Sequence, residues 1–177
     1  MTEPKPTKNI LIYPNGILVW NDKRFRCAIG KNSVTENKRE GDMATPLGCF
    51  PIREILYRKD KIQKPKTLFP VSEITPDDGW CDDINSPEYN KKIKLPFPSS
   101  HENLWREDDV YDCIVILGYN DNPPEPGKGS AIFMHVARES YSPTAGCIAL
   151  SLDNLLALLK EIPLDTTVCV QKEPLNR

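Results

Sequence analysis

Seventeen prolines in a chain of 177 residues, against nine glycines, argue against a bundle of long helices before any other pattern is considered. Proline lacks a backbone N–H and fixes φ, so it breaks helix interiors and is tolerated at turns and strand edges. Between the prolines the apolar residues fall in short runs bounded by Gly, Pro and Asn, as strands joined by rigid turns require. A hydrophobic fraction of 39% suffices for a core, and the length fits one domain.

The runs can be placed in order. KNILIY and ILVWN flank Pro14-Asn15-Gly16, a hairpin signal because Asn and Gly both tolerate positive φ, and RFRCAIG supplies a third strand. Residues 31–47 are polar and turn-rich, after which GCFPIREILYR resumes alternation. Prolines 65, 70, 76, 87, 96 and 98 interrupt residues 59–109, which read as an irregular insertion of about fifty residues; so long a loop implies a binding role. YDCIVILG and SAIFMHVA are apolar without alternation, as strands buried on both faces are, and TTVCVQ gives a last strand. Ser151 caps one predicted helix whose apolar positions Leu152, Leu155, Leu156, Leu159 and Ile162 share a face, with Pro163 as its stop. The expected fold is therefore mostly β with one helix, in a single domain over residues 8–172 with flexible tails at 1–7 and 173–177.

Several function classes are disfavoured by composition. Lys+Arg number 23 and Asp+Glu 25, without a basic block, so nucleic acid is not an expected partner. Pro14, Asn15 and Gly16 split the only apolar stretch near the start, which lacks the form of a leader, and no run reaches a membrane span. Six cysteines are read as reduced thiols of a cytoplasmic protein, since the chain is not a small secreted scaffold. Their smallest gap, from Cys27 to Cys49, is 22 positions, and there are two histidines, so no metal site and no cofactor are expected.

The chemistry concentrates in IFMHVARESYSPTAGCIAL (132–150), where His135 sits on a predicted buried strand and Cys147 follows Gly146 twelve positions later. A free thiol titrates near ~8.5, and an adjacent imidazole is expected to lower that value toward neutrality, a service His135 would provide before protonating the leaving amine. Gly146 removes a Cβ where a carbonyl must approach, and N–H groups of a tight turn from Thr144 to Cys147 are candidate oxyanion donors. Against this, most cysteines are small buried hydrophobes and most strand histidines are hydrogen-bonded core residues. Cys81 lies among aspartates that disfavour a thiolate, and His101 has no cysteine nearby in sequence.

His135 followed by Thr144-Ala145-Gly146-Cys147-Ile148-Ala149-Leu150 resembles the H…[ST]-x-G-C signature of YkuD-type L,D-transpeptidases. KREGDMATPLGCFPI (38–52) is similar to that family's Gly-Asp-x-x-Thr-Pro-x-Gly segment, and GWCDDINSPEYN (79–90) with LGYN (117–120) looks like a proteobacterial branch. The resemblance implies a β-sandwich or mixed sheet, with Cys147 as nucleophile and His135 as base. It implies peptidoglycan stem peptides or muropeptides as substrates, cleaved through a thioester. Many relatives carry Arg two residues after the cysteine where this chain has Ala149, so Arg138 is the candidate carboxylate partner, with Tyr119, Asn120, Trp80 and Tyr89 as candidate groove residues. Without a recognised leader, the expected activity is cytoplasmic L,D-carboxypeptidation of recycled tetrapeptides. The alternatives are an exported, periplasmic transpeptidase and a binding module without turnover.

Overall fold

The computed structural model describes residues 8–176; of the two expected tails, 1–7 and Arg177 lie outside the described residues. β1 (Asn9–Tyr13) and β2 (Ile17–Trp20) form the first hairpin. Its loop is three residues long with φ +77° at Gly16 alone, so Asn15 does not take the positive φ expected of it. Asn15 exchanges two hydrogen bonds with Leu175, which holds residues 173–176 against this hairpin rather than leaving them as a free tail.

β3 (Lys23–Arg26) adds to the hairpin, and the polar stretch folds back on itself through β4 (Val34–Thr35) and β5 (Thr45–Pro46). β6 (Gly48–Tyr57) is the hinge of the architecture. Its first half pairs with β14 (Thr167–Val170); its second half pairs with β7 (Val71–Glu73) and β11 (Cys113–Leu117). One layer is thus β6-β14-β1-β2-β3, and the other continues through β11 to β12 (Phe133–Val136) and β13 (Ile148–Leu150). An isolated bridge from Ala28 to Ala149 ties the far edges of the two layers together.

Side-chain parity decides what each face does, because successive residues of a strand point to opposite faces. Ile10, Ile12, Leu18, Trp20, Val168 and Val170 meet Val115, Leu117, Met134, Val136, Ile148 and Leu150 between the layers. The alternate residues Ile114, Ile116 and Phe133 face outward, where a second apolar cluster forms with Leu56, Trp80, Leu104, Tyr111 and Cys147. β11 and β12 are buried along their whole length because both faces are covered.

What covers the outer face is the expected irregular insertion, which is a correction to that reading. It builds its own three-stranded sheet, β10 (His101–Asn103), β8 (Asp78–Cys81) and β9 (Lys92–Lys94), and places Trp80 edge-on to Phe133 at 4.9 Å between centroids.

α1 (Leu152–Glu161) begins at Ser151, whose Oγ accepts from Asn154 N–H at 3.2 Å, and ends at Ile162, extended as the residue before proline should be. Its buried residues are Leu155, Leu158 and Leu159, with Leu152 and Leu156 at the margin. No helix among the described residues is long and apolar enough to cross a membrane.

The expectation of six reduced thiols is overturned at one pair. The register of β6 against β14 sets Cys49 opposite Cys169, 3.9 Å apart at Cα, and the two are disulfide-bonded across 120 residues of sequence. Cys27, Cys81, Cys113 and Cys147 are free and buried.

Candidate active site

Parity places His135 beside Phe133 on the outward face of β12, and the parallel register of β12 with β13 brings Cys147, the residue before β13, alongside. Cys147 therefore stands at the end of a turn leading into a strand, with β13 between it and the helix. Phe133 N–H donates to its Sγ at 3.4 Å and the thiol donates to Ala131 C=O at 3.1 Å. Both candidate residues are nearly covered, Cys147 at 8% and His135 at 7% exposure, and both line one cavity of about 350 Å³.

The imidazole Nδ1 lies 3.0 Å from Val136 C=O. A carbonyl only accepts, so this contact assigns the proton to Nδ1 and leaves the Nε2 lone pair as the basic site. Tyr111 packs edge-on against the ring at 5.4 Å between centroids, and its hydroxyl donates to Glu102 at 2.6 Å.

Burial pushes the Cys147 thiol up to about 12 and the imidazole of His135 down to about 4. The resting pair is thus a neutral thiol beside a neutral imidazole. A thiolate standing ready near neutral pH, as the sequence led one to expect, is not what this environment favours.

The turn before the sulfur is braced from outside the expected motif. Thr45 Oγ1 donates to Gly146 C=O at 2.9 Å and accepts Gly30 N–H at 2.9 Å, while Thr144 Oγ1 donates to Cys147 C=O at 2.6 Å. Asp42 accepts Arg39 N–H at 2.8 Å and Ala44 N–H at 3.0 Å, which shapes the loop carrying Thr45. The Gly-Asp-x-x-Thr-Pro-x-Gly segment is therefore a support for the Cys147 turn. Gly146 N–H is taken by Thr144 Oγ1 at 3.1 Å, so Ala145 and Cys147 supply the candidate backbone donors for an oxyanion.

Gly146 has φ +138°, and a Cβ added there would lie 2.8 Å from Ala44 C=O. Gly146→Ala is expected to cost about 1–3 kcal/mol through backbone strain and this clash. Thermal unfolding should move down by several degrees, and the rate of Cys147 alkylation should change; an unaltered midpoint would show that the turn is not braced as described.

The remaining sequence candidates divide. Arg138 lines the cavity. Tyr119 and Asn120 do not: Tyr119 packs edge-on to Phe50 at 5.4 Å, and Asn120 holds its own loop through Glu125 and Gly129. Trp80 is packed in the outer core, with its indole N–H on Asn90. Tyr89 supports the cavity wall by donating to Glu40 at 2.9 Å, an oxygen that also accepts from Ser130 at 2.5 Å. Ala149 is buried in β13, Cys81 is buried in β8, and His101 sits in β10 with Nδ1 2.8 Å from Ser99 C=O.

Sequence reasoning missed Lys38, Glu40, Asp82, Glu102, Arg106 and Tyr111, all of which line the cavity. Three of the six, Asp82, Glu102 and Arg106, come from the insertion, where Glu102, Arg106 and Asp108 flank the apolar Leu104 and Trp105; that mixture of charge and core residues was the available signal. Burial raises the Glu102 carboxyl above its usual range, and the Arg106 guanidinium holds Asp108 down to about 2.

The family model of the YkuD L,D-transpeptidase catalytic domain matches residues 5–170, and the chain belongs to that family. No curated protein matches it. Similar solved structures include an L,D-transpeptidase from Mycobacterium smegmatis, at 14% identity and TM-score 0.42, covering 92% of this chain and 58% of that one. Another is Bd1075 of Bdellovibrio bacteriovorus, at 13% identity and TM-score 0.47, covering 94% and 48% respectively. The helical cell shape determining protein Pgp2 of Campylobacter jejuni shares 13% identity at TM-score 0.45, covering 96% and 49%. The chain spans about half the length of these proteins.

Proposed function

We propose that this chain is a cysteine acyl-transfer enzyme of peptidoglycan stem peptides, acting as an L,D-carboxypeptidase that removes the terminal D-alanine of tetrapeptides. The observation that carries the reading is that His135 of β12 and Cys147, just before the neighbouring β13, line one cavity. Membership of the family supports the substrate class.

His135 Nε2 takes the thiol proton as Cys147 Sγ bonds to the carbonyl carbon of the diamino acid, and the oxyanion meets N–H groups of the 145–147 turn. The C–N bond then breaks, and the imidazolium returns the proton to the departing amine of D-alanine, leaving a thioester. Water attacks that thioester, His135 takes its proton, and the tripeptide leaves as the thiol is restored. Because both groups rest neutral, proton transfer accompanies attack, and no ion pair is held within the buried site beforehand.

A second reading, an enzyme working in the periplasm and passing the acyl group to an amine of another stem, is favoured by the Cys49–Cys169 bond, since disulfides persist in oxidising compartments. The cytoplasmic placement and the water acceptor belong to the first reading. Mass spectrometry of a defined tetrapeptide incubation, with and without an acceptor stem, separates them. Tripeptide and free D-alanine as the main products in both incubations are the expected result. Cross-linked dimer dominating when acceptor is present would replace hydrolysis with transpeptidation, and unchanged peptide with tight binding would leave only a recognition module.

A further inference from the structure

Two guanidiniums face the cavity that holds Cys147 and His135. Arg106 comes from the insertion just after β10, and Arg138 lies three residues beyond His135. They share one carboxylate. Asp108 accepts from Arg106 Nε at 2.7 Å and from Arg106 Nη2 at 2.7 Å, a bidentate fork, whereas Arg138 Nη2 reaches the same carboxylate at 3.4 Å.

One carboxylate is shared by two guanidiniums, while Glu40, Asp82 and Glu102 also line the cavity and Glu102 acts electrostatically on Arg106. Arg106 is fixed: its fork is filled by Asp108, its backbone carbonyl accepts from Arg58 Nη1 at 2.6 Å, and its guanidinium lies 5.3 Å from the Tyr111 ring centroid. Arg138 is not. Its side chain is 55% exposed, and Asp108 is the one partner of its guanidinium among the described residues. A planar fork with most of its donors free suits a second carboxylate, which it can bind in bidentate geometry.

We propose that Arg138, held in place by the Arg106–Asp108 pair, binds the free terminal carboxylate of the substrate peptide and so makes the site selective for a stem that ends at the residue to be released. This rests on the carboxypeptidase reading. In such a peptide the terminal carboxylate is separated from the scissile carbonyl by only the amide nitrogen and one α-carbon. Its recognition group must therefore stand within a side chain's reach of the thiol and imidazole. Arg138 meets that requirement on the wall beside His135, and both guanidiniums act electrostatically on the imidazole. The competing possibility is a solvated surface arginine with no selectivity attached to it.

The test compares tetrapeptide ending in a free carboxylate with the same peptide as its C-terminal amide. Calorimetric binding is measured on Cys147→Ala protein, and turnover is measured in parallel on the unaltered enzyme. The acid is expected to bind about 10- to 100-fold tighter than the amide, the range of a charge-assisted hydrogen bond. Arg138→Gln in the Cys147→Ala background should remove that preference by weakening the acid alone, and Arg138→Lys should restore part of it. Equal binding of acid and amide, or a loss in Arg138→Gln that falls equally on both, overturns the inference. The two claims fail separately: turnover without acid preference sinks the carboxylate site and spares the enzyme, whereas acid preference without turnover does the reverse.

Discussion

Cys147→Ala is expected to abolish release of D-alanine from a tetrapeptide, a loss of at least about 10⁴-fold in kcat/KM, because Cys147 is the one free thiol that lines the cavity among the described residues. The fold should survive. The substitution removes a sulfur that accepts from Phe133 N–H and donates to Ala131 C=O, at a site whose Cα geometry is set by the parallel pairing of β12 and β13. A cost of about 1 kcal/mol is the usual scale for such a loss. His135→Ala should lower turnover by about 10²- to 10⁴-fold, the range for a positioned acid–base group. Cys81→Ala, a change in the β8 core, is the control that should retain turnover. Assaying D-alanine release beside thermal unfolding checks all three, and an active Cys147→Ala protein or a dead Cys81→Ala protein would refute the assignment of the nucleophile.

The second large effect is a stability plateau bounded on both sides by buried groups of the core. His135 titrates near 4 in the folded protein, below its ordinary value of 6.5. The unfolded chain therefore gains its proton first, so this group's stabilising contribution is present above pH 6.5 and is lost as pH falls toward 4. The thiols Cys27, Cys113 and Cys147 run the other way, pushed by burial from 9.0 to about 12. The unfolded chain loses those protons first, so their contribution is present below pH 9 and is lost as pH rises toward 12. At about 1.4 kcal/mol per pKa unit, each thiol bears on stability by a few kcal/mol across that window. The unfolding midpoint should be flat from about pH 6.5 to 9 and fall outside it, with Cys113→Ala making the alkaline fall shallower. A midpoint that stays level from pH 9 to 11 would contradict the burial of these thiols.

How much was legible beforehand follows the physics of each element. The apolar runs of β11 and β12 announced buried strands, but which face His135 takes came only from the structure, where it points outward with Phe133. The Ser151 cap and Pro163 bounded α1 at both ends. The insertion was opaque because its strands are three or four residues long and owe their order to packing on the outer face of the sheet; that packing pairs Trp80 with Phe133 and Trp105 with Arg58. For the same reason Glu102 and Arg106 were invisible as cavity residues. The Cys49–Cys169 pair has no local signal, since only the register of β6 against β14 sets the two opposite each other. Tyr119 and Asn120 carry polar groups in a loop near the site, but their hydrogen bonds close the 120–129 loop itself.

The resting protonation of the couple changes what activation means here. With the thiol near 12 and the imidazole near 4, both groups are neutral near pH 7, so the proposed attack would need its proton transfer to occur as substrate binds. The covered positions of both residues fit that demand, because water is a competing proton acceptor only where it can reach them.

The most direct measurement is peptide mapping of enzyme quenched in acid during turnover of a tetrapeptide, which preserves a thioester. The account predicts a tripeptide acyl group on the fragment containing Cys147, absent from Cys147→Ala protein and released by neutral hydroxylamine. An acyl group on any other residue, or D-alanine released with no acyl-enzyme at Cys147 under any quench time, would contradict it.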